Sequence, residues 1–431
     1  IPCAGRLQEE VDSLVAYKSD TFTPISMTAK RPRKGAKRER RKKWGSGDSI
    51  KTQVQKLEMF FGALREKGVP KEELRLELML DRHKIQDFID FMHERRGLLT
   101  ETITHVLQGL DGHLNPDSGF VPLSEEQLST GIHPDWEEAC AVARAFVRDR
   151  LAELETETVT GRDVFAPIAA VLDDPKPYHA YYRIADEIRE RGVLAAANRN
   201  HPADHARALR QLVLFRYAMK LGLRARNLAE TQLKEKGEKP TSMTSMSRQR
   251  RAELWFDEKR AVWVHRQPKS AFKNWDSPAT DNVEIVLTDT DGFYEELEAY
   301  IAARPVLLAG NDDPGRLFVA DMTNGSKRAT LTANQLNRLW KVLLQNYGIF
   351  NPYTNTGVIP GLRLHGPHSV RHVMATHFIK VRGSFGWAAA FLFDMEHMVR
   401  ERYARFKPQD QFQRATDLLD EDHPTGKVRV S

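Results

Sequence analysis

Apolar positions recur at helical spacing over most of the chain. In GSGDSIKTQVQKLEMFFGALREKG, Ile50, Val54, Leu57, Phe61 and Leu64 fall three or four apart, with Asp48 or Ser49 as cap and Gly68 as stop, so an amphipathic helix is predicted there. Further helical runs are expected at Lys84 to Glu94, Thr102 to Leu110 and Pro134 to Leu154, where Trp136, Cys140, Ala143, Val147, Leu151 and Leu154 share a face. These segments predict a small helical domain over 48–160. Helices continue through Ile168 to Leu172, Tyr182 to Arg191 and Ala206 to Leu221. The texture then changes. Ala252 to Phe256, Ala261 to His265 and Val283 to Leu287 are short, apolar or alternating and bounded by polar turns, which predicts a small three-stranded antiparallel sheet. Helices return at Gly292 to Ala303, at Thr332 to Tyr347 and from His368 onward. The expected fold class is mainly α with one small antiparallel β-sheet, in a second domain over 161–431.

The 431 residues suffice for two or three domains that bury their own cores. Cys3 and Cys140 lie far apart and in no metal-ligand spacing, so neither a disulfide scaffold nor zinc is expected, and the pair suits a reducing compartment. The apolar stretch Trp387 to Phe393 is far too short for a bilayer, and no signal peptide is read at the start; no membrane association is expected. Charge is unevenly placed. Between Lys30 and Lys43 there are ten basic residues and one acid, a net of +9 against +6 for the whole chain. Such a block repels itself until it meets a polyanion, so residues 1–47 are expected to form a disordered basic arm. Lys30, Arg31, Arg33, Lys34, Lys37, Arg38, Arg40, Arg41, Lys42 and Lys43 are its candidate DNA contacts. A solubilising tail or a nuclear localisation signal would have the same composition.

The sharpest local string is HSVRHVMATH, from His368 to His377. His368 and Arg371 stand three apart, so on a helix they share a face, with Pro367 ahead as a helix opener. Their donors would converge on one anion, and a guanidinium reaches two phosphate oxygens at once. One His-x-x-Arg is expected by chance in a chain of this size, so the pair alone decides little. Downstream VRERYARF places Tyr403 32 residues after Arg371.

Together these strings resemble the C-terminal signature of the tyrosine recombinase (phage integrase-like) family. LFRYAMKLGLRARNLAETQL resembles that family's first-arginine segment and puts the arginine at Arg224; AVWVHRQPKSAFKN puts its lysine at Lys269, with Lys273 as the alternate. The resemblance implies a catalytic fold of this family preceded by a helical core-binding domain that closes around double-stranded DNA. It implies that Tyr403 attacks the phosphate, Arg224 and Arg371 clamp it, His368 donates a hydrogen bond or shuttles a proton, and Lys269 protonates the 5′ oxygen, with neither metal nor other cofactor. Two departures stand out. Asp394 occupies the place of a usual His or Trp nine residues before the tyrosine, with His397 as the alternate donor, and Asn227 stands where an acid is usual. His365, His372 and His377 are read as structural or supporting.

The resemblance further implies a homo-tetramer on two DNA sites, with a tail bearing Phe412, Leu418 and Leu419 docked on a neighbour, and a bacterial cytoplasmic, nucleoid-associated setting. The long basic extension favours an integrase or transposase of a mobile element. A type IB topoisomerase and a noncatalytic DNA-binding accessory protein are the alternatives. Each assignment also has an ordinary reading: arginines are commonly surface cations, and a helical Tyr commonly fills a core with its hydroxyl at the rim.

Overall fold

The computed structural model describes residues 5–19, 44, 47–94, 100–156, 163–199, 201–275, 277, 280–403 and 416. Internal contacts divide the chain into two units, Ile1–Asp163 and Val164–Ser431.

The first unit is built from helices Arg6–Ser19, Gly47–Glu66, Arg82–Glu94, Thr100–His113 and Trp136–Thr156, with short 3-10 turns between them. Its core takes one side of each helix: Leu57, Phe60, Phe61 and Leu64 from the second, Ile85, Phe88 and Ile89 from the third, and Ala143 and Val147 from the last. The helix Arg6–Ser19 corrects the expectation that residues 1–47 form one disordered arm. Leu7, Val11 and Leu14 repeat at i, i+4 and i+7 and are buried in this core. Glu10, also buried, accepts from the backbone N–H of Leu76 at 2.6 Å and from Arg6 Nε at 3.0 Å, so its charge is satisfied where it lies. The strongly basic stretch that follows hides this short amphipathic run when charge is averaged over the whole segment.

The second unit is organised around the helix Pro202–Leu221. Fourteen of its residues are buried, including Arg210 and Arg216, so the helix is enclosed on all sides rather than amphipathic. Its two buried cations are met by acceptors: Arg210 donates to the Val319 carbonyl at 2.8 Å, and Arg216 to Glu296 and to the carbonyls of Thr290 and Asp291. Helix Phe293–Leu308 packs along it, and Phe215 stacks on Trp340 of helix Ala333–Leu343.

The sheet is four-stranded and mixed, in the order β1 (Gln232–Leu233), β2 (Glu253–Asp257), β3 (Val262–Gln267) and β4 (Val283–Val286). β2, β3 and β4 pair antiparallel as expected, with Trp255 opposite Val264 and Val264 opposite Val286. The departure is β1, which pairs parallel to β2. Two residues are too few to show alternation, so this strand leaves no pattern in the sequence.

Gly222 ends the central helix at φ 57°, with its N–H donating to the Ala218 carbonyl at 2.8 Å. The left-handed turn favours glycine, and a Cβ here would meet a ring carbon of Phe391 at 2.7 Å. Gly222→Ala is therefore expected to destabilise the second unit by about 2 kcal/mol, the cost of left-handed backbone plus the clash. A urea titration should show a lower midpoint with an unchanged slope; an unaltered midpoint would contradict this account of the turn.

Candidate active site

Three chain segments meet just past Gly222. The first is the turn itself: Arg224 is extended, at φ −73° and ψ 153°, and caps the short helix Ala225–Glu230, so its side chain leaves the backbone between two helices. The second is the helix Ser369–Arg382, whose capping residue His368 already has helical backbone angles, so His368 and Arg371 share a face as their spacing predicts. The third runs from helix Phe385–Leu392 through Asp394 to helix Glu396–Arg402 and Tyr403. Between these two helices Phe393 adopts φ 51°, a left-handed conformation unusual for phenylalanine, and its ring is held against Phe272 at 4.9 Å between centroids. That reversal sets the direction of Asp394.

Tyr403 is 6% exposed, and its ring lies among the other groups. Its hydroxyl is 3.4 Å from Arg224 Nη2, which donates to it, and its ring sits 4.8 Å from the Arg371 guanidinium carbon, 5.6 Å from the His368 ring and 5.3 Å from the His372 ring. His372 also approaches the Tyr403 carbonyl through Nδ1 at 3.3 Å and packs edge-on to Phe165. It supports the tyrosine from behind.

Arg371 is 2% exposed. Its Nη1 donates to the Gly222 carbonyl at 2.8 Å; its Nη2 donates to the Leu392 carbonyl at 2.9 Å and to Asp394 Oδ2 at 3.4 Å. One guanidinium thus ties the end of the central helix to the segment that carries Tyr403. Its Nε is buried without a hydrogen-bond partner among the described residues. Burial, opposed in part by Asp394 and Tyr403, pulls the Arg371 pKa below its ordinary value. Asp394 serves both arginines, standing 3.7 Å from Arg224 Nη2 as well.

His368 is held neutral. Burial is the main cause, and the positive side chains of Arg371, Arg224 and Lys273, with His372, add to it, so its pKa falls to about 3. The list of neighbours is informative about the lysines. Lys273, exposed on the connection between β3 and β4, is near enough for its charge to act on His368. Lys269 lies earlier in that connection: its backbone N–H donates to Asn282 Oδ1 at 2.8 Å, and its ammonium has no partner among the described residues.

The structure therefore brings together Arg224, His368, Arg371, Asp394 and Tyr403 from positions as much as 179 residues apart, with Lys273 within electrostatic reach of His368 and Lys269 four residues earlier in the same connection. His397 points elsewhere, being exposed on helix Glu396–Arg402. Asn227 donates to the Ala271 carbonyl at 3.3 Å, fastening the helix that follows Arg224 to the lysine-bearing turn, so an amide rather than an acid does the work at that place. Two remaining histidines are occupied elsewhere, His365 with the Tyr181 hydroxyl at 2.7 Å and His377 stacked on His179. Asn274, which sequence reasoning passes over, donates to the Phe393 carbonyl and accepts from Arg224. The basic block 30–43 and the tail residues Phe412, Leu418 and Leu419 lie outside the described residues.

No known family's sequence profile matches the chain, and no curated protein matches it. Among solved structures, the chain is similar to one described as XerA recombinase, at a TM-score of 0.32 and 11% identity, over 86% of this chain and 92% of that one.

Proposed function

We propose that this protein cleaves and rejoins double-stranded DNA through a 3′-phosphotyrosyl intermediate, as a site-specific recombinase of the integrase or transposase kind belonging to a mobile element. The observation that carries the reading is the convergence on Tyr403 of Arg224, which donates to its hydroxyl, and of Arg371 and His368, which pack on its ring, with Asp394 beside both arginines.

The chemistry asks for such a set. In an in-line displacement the Tyr403 oxygen forms a bond to phosphorus as the bond to the 5′ oxygen breaks; negative charge builds on the nonbridging oxygens, and the departing oxygen needs a proton. Preorganised cations lower that barrier most where water is excluded. Arg224 holds one nonbridging oxygen; Arg371, whose Nε is a buried donor without a partner among the described residues, holds another once the Tyr403 ring swings from above it. His368, a neutral imidazole, hydrogen-bonds the phosphate or relays the phenol proton. A lysine of the β3–β4 connection protonates the 5′ oxygen. The phosphotyrosyl bond keeps the energy of the broken diester, so rejoining needs no ATP. The first unit and the basic arm supply phosphate contacts along the duplex, and the tail joins protomers into a tetramer on two sites, which suits the bacterial nucleoid.

Of the two lysines, Lys273 is our choice for the acid, because its charge reaches His368. Lys273→Met is expected to slow cleavage about 10²-fold or more, with Lys269→Met costing less. A substrate whose 5′ bridging oxygen is replaced by sulfur, a leaving group that needs no proton, should restore the Lys273 variant. If Lys269→Met shows the larger, sulfur-rescued loss, the two roles are exchanged.

The test of the function is a capture experiment. Nicked duplexes of randomised sequence are incubated with the full chain in the presence of a chelator, denatured, and sorted for DNA that remains attached to protein. Recovery of a defined sequence joined by its 3′ phosphate supports the reading. DNA binding with no covalent product would transfer it to a noncatalytic DNA-binding protein.

A further inference from the structure

The side chain of Asn274 spans two segments of the site. Its Oδ1 accepts from Arg224 Nη1 at 3.4 Å, while its Nδ2 donates to the Phe393 carbonyl at 2.9 Å. The asparagine is itself fixed, because its own carbonyl accepts from the Ser277 N–H at 2.9 Å and from the Thr280 hydroxyl at 3.0 Å. Phe393 is the left-handed residue that turns the chain into Asp394, and Asp394 approaches Arg224 from its other nitrogen at 3.7 Å. The guanidinium is thus held between an amide and a carboxylate, and the amide also holds the residue before the carboxylate.

The residue type matters. The position needs one acceptor and one donor on a short, planar arm, which among side chains of this size only an amide supplies. Aspartate would offer acceptors alone, would leave the Phe393 carbonyl without its donor, and would set a second carboxylate on Arg224, cancelling charge that a phosphate would otherwise feel. An arginine side chain has about 2 kcal/mol of rotamer entropy to lose on being fixed. A partner that fixes it beforehand removes that cost from the reaction.

We infer that Asn274 is a positioning residue: it aims Arg224 at the phosphate and, through Phe393, keeps Asp394 in place, so that docking of the lysine-bearing turn and assembly of the arginine pair occur together. The inference rests on the cleavage reading proposed above.

It is tested in single-turnover cleavage of the duplex recovered by the capture experiment, made once with an ordinary scissile phosphate and once with a methylphosphonate, whose lost nonbridging charge removes most of the need for an aimed arginine. On the ordinary substrate Asn274→Ala is expected to be about 10²-fold slower than wild type, as follows when a reacting group is misplaced, with DNA affinity changed by less than about threefold. On the methylphosphonate the gap between the two proteins should close to about threefold or less. Arg224→Ala should show the same pattern, and the double variant should be no slower than Arg224→Ala alone, since both changes remove one interaction. Asn274→Asp should likewise be slow on the ordinary substrate and recover on the methylphosphonate. Should the alanine variant melt early, Asn274→Ser serves in its place.

Equal losses on the two substrates would mean that Asn274 only supports the fold, and the inference would fall. So would a variant as fast as wild type. If wild type itself forms no adduct, the cleavage reading fails and takes this inference with it; if wild type reacts and Asn274→Ala reacts equally, only the inference fails.

Discussion

Tyr403→Phe should abolish the covalent protein–DNA product while leaving DNA binding within about twofold of wild type, because the change removes one oxygen and little surface. The ring is what the surrounding structure uses: it packs on the Arg371 guanidinium and against His368 and His372, and all three contacts survive in phenylalanine. The hydroxyl takes a long hydrogen bond from Arg224, 3.4 Å, so its loss costs the fold about 1 kcal/mol. Stability and chemistry are therefore separable at this position. A denaturing gel of wild type and variant on the captured duplex reads the chemistry, and a melting curve reads the fold. An adduct that persists in the phenylalanine variant would move the nucleophile to another residue and leave the convergence around Tyr403 without a chemical role.

Acid should begin to unfold the second unit before the pH reaches the range in which carboxylates protonate. Burial holds His265, His365, His372 and His377 at about 4 and His368 at about 3, all below the 6.5 of a free imidazole. For a base whose folded pKa is depressed, the native state binds fewer protons than the unfolded chain between the two values. Stability is then fully present above pH 6.5 and is lost as pH falls from there toward 4. Each histidine contributes a slope of up to about 1.4 kcal/mol per pH unit, so five acting together exceed the ordinary stability of a domain. Circular dichroism against pH should show cooperative loss of helix between about pH 6 and pH 4. His265→Gln, which removes the proton acceptor most deeply enclosed, should shift that transition to lower pH if the variant folds. A unit that keeps its structure to pH 3 would contradict the burial of these rings.

Much of this arrangement can be read before any coordinates, and the parts that cannot share a cause. Helical periodicity marks the long helices because each buries one stripe, and His368 and Arg371 announce themselves through a spacing of three. Arg224 follows from a glycine-ended helix. By contrast, the placement of Arg371 under the tyrosine depends on the carbonyls of Gly222 and Leu392, which lie 170 residues apart in the chain and meet only after folding. Asn274 sits in a turn rich in lysine and serine, where asparagine is ordinary, and its double hydrogen bond has no sequence mark. An ungapped alignment favours Asp394 over the alternate His397 but does not say where either side chain goes; the left-handed Phe393 turns the carboxylate inward and leaves the imidazole on the outside. The helix Arg6–Ser19 is lost for a different reason, since a long basic neighbour dominates any average taken over it.

The site's partners are anchored unequally. Arg224 follows a helix buried over most of its length, and Arg371 is sealed within its own, whereas Tyr403 ends a seven-residue helix in which Val399 is the buried residue. Local opening free energy rises with the apolar surface that must be exposed. The helix Glu396–Arg402 is therefore expected to open locally more readily than the elements that carry the two arginines, and amide exchange should be fastest there. Substitutions along Glu396–Arg402 should therefore be felt as a change in how often the nucleophile is in place rather than in how the phosphate is held.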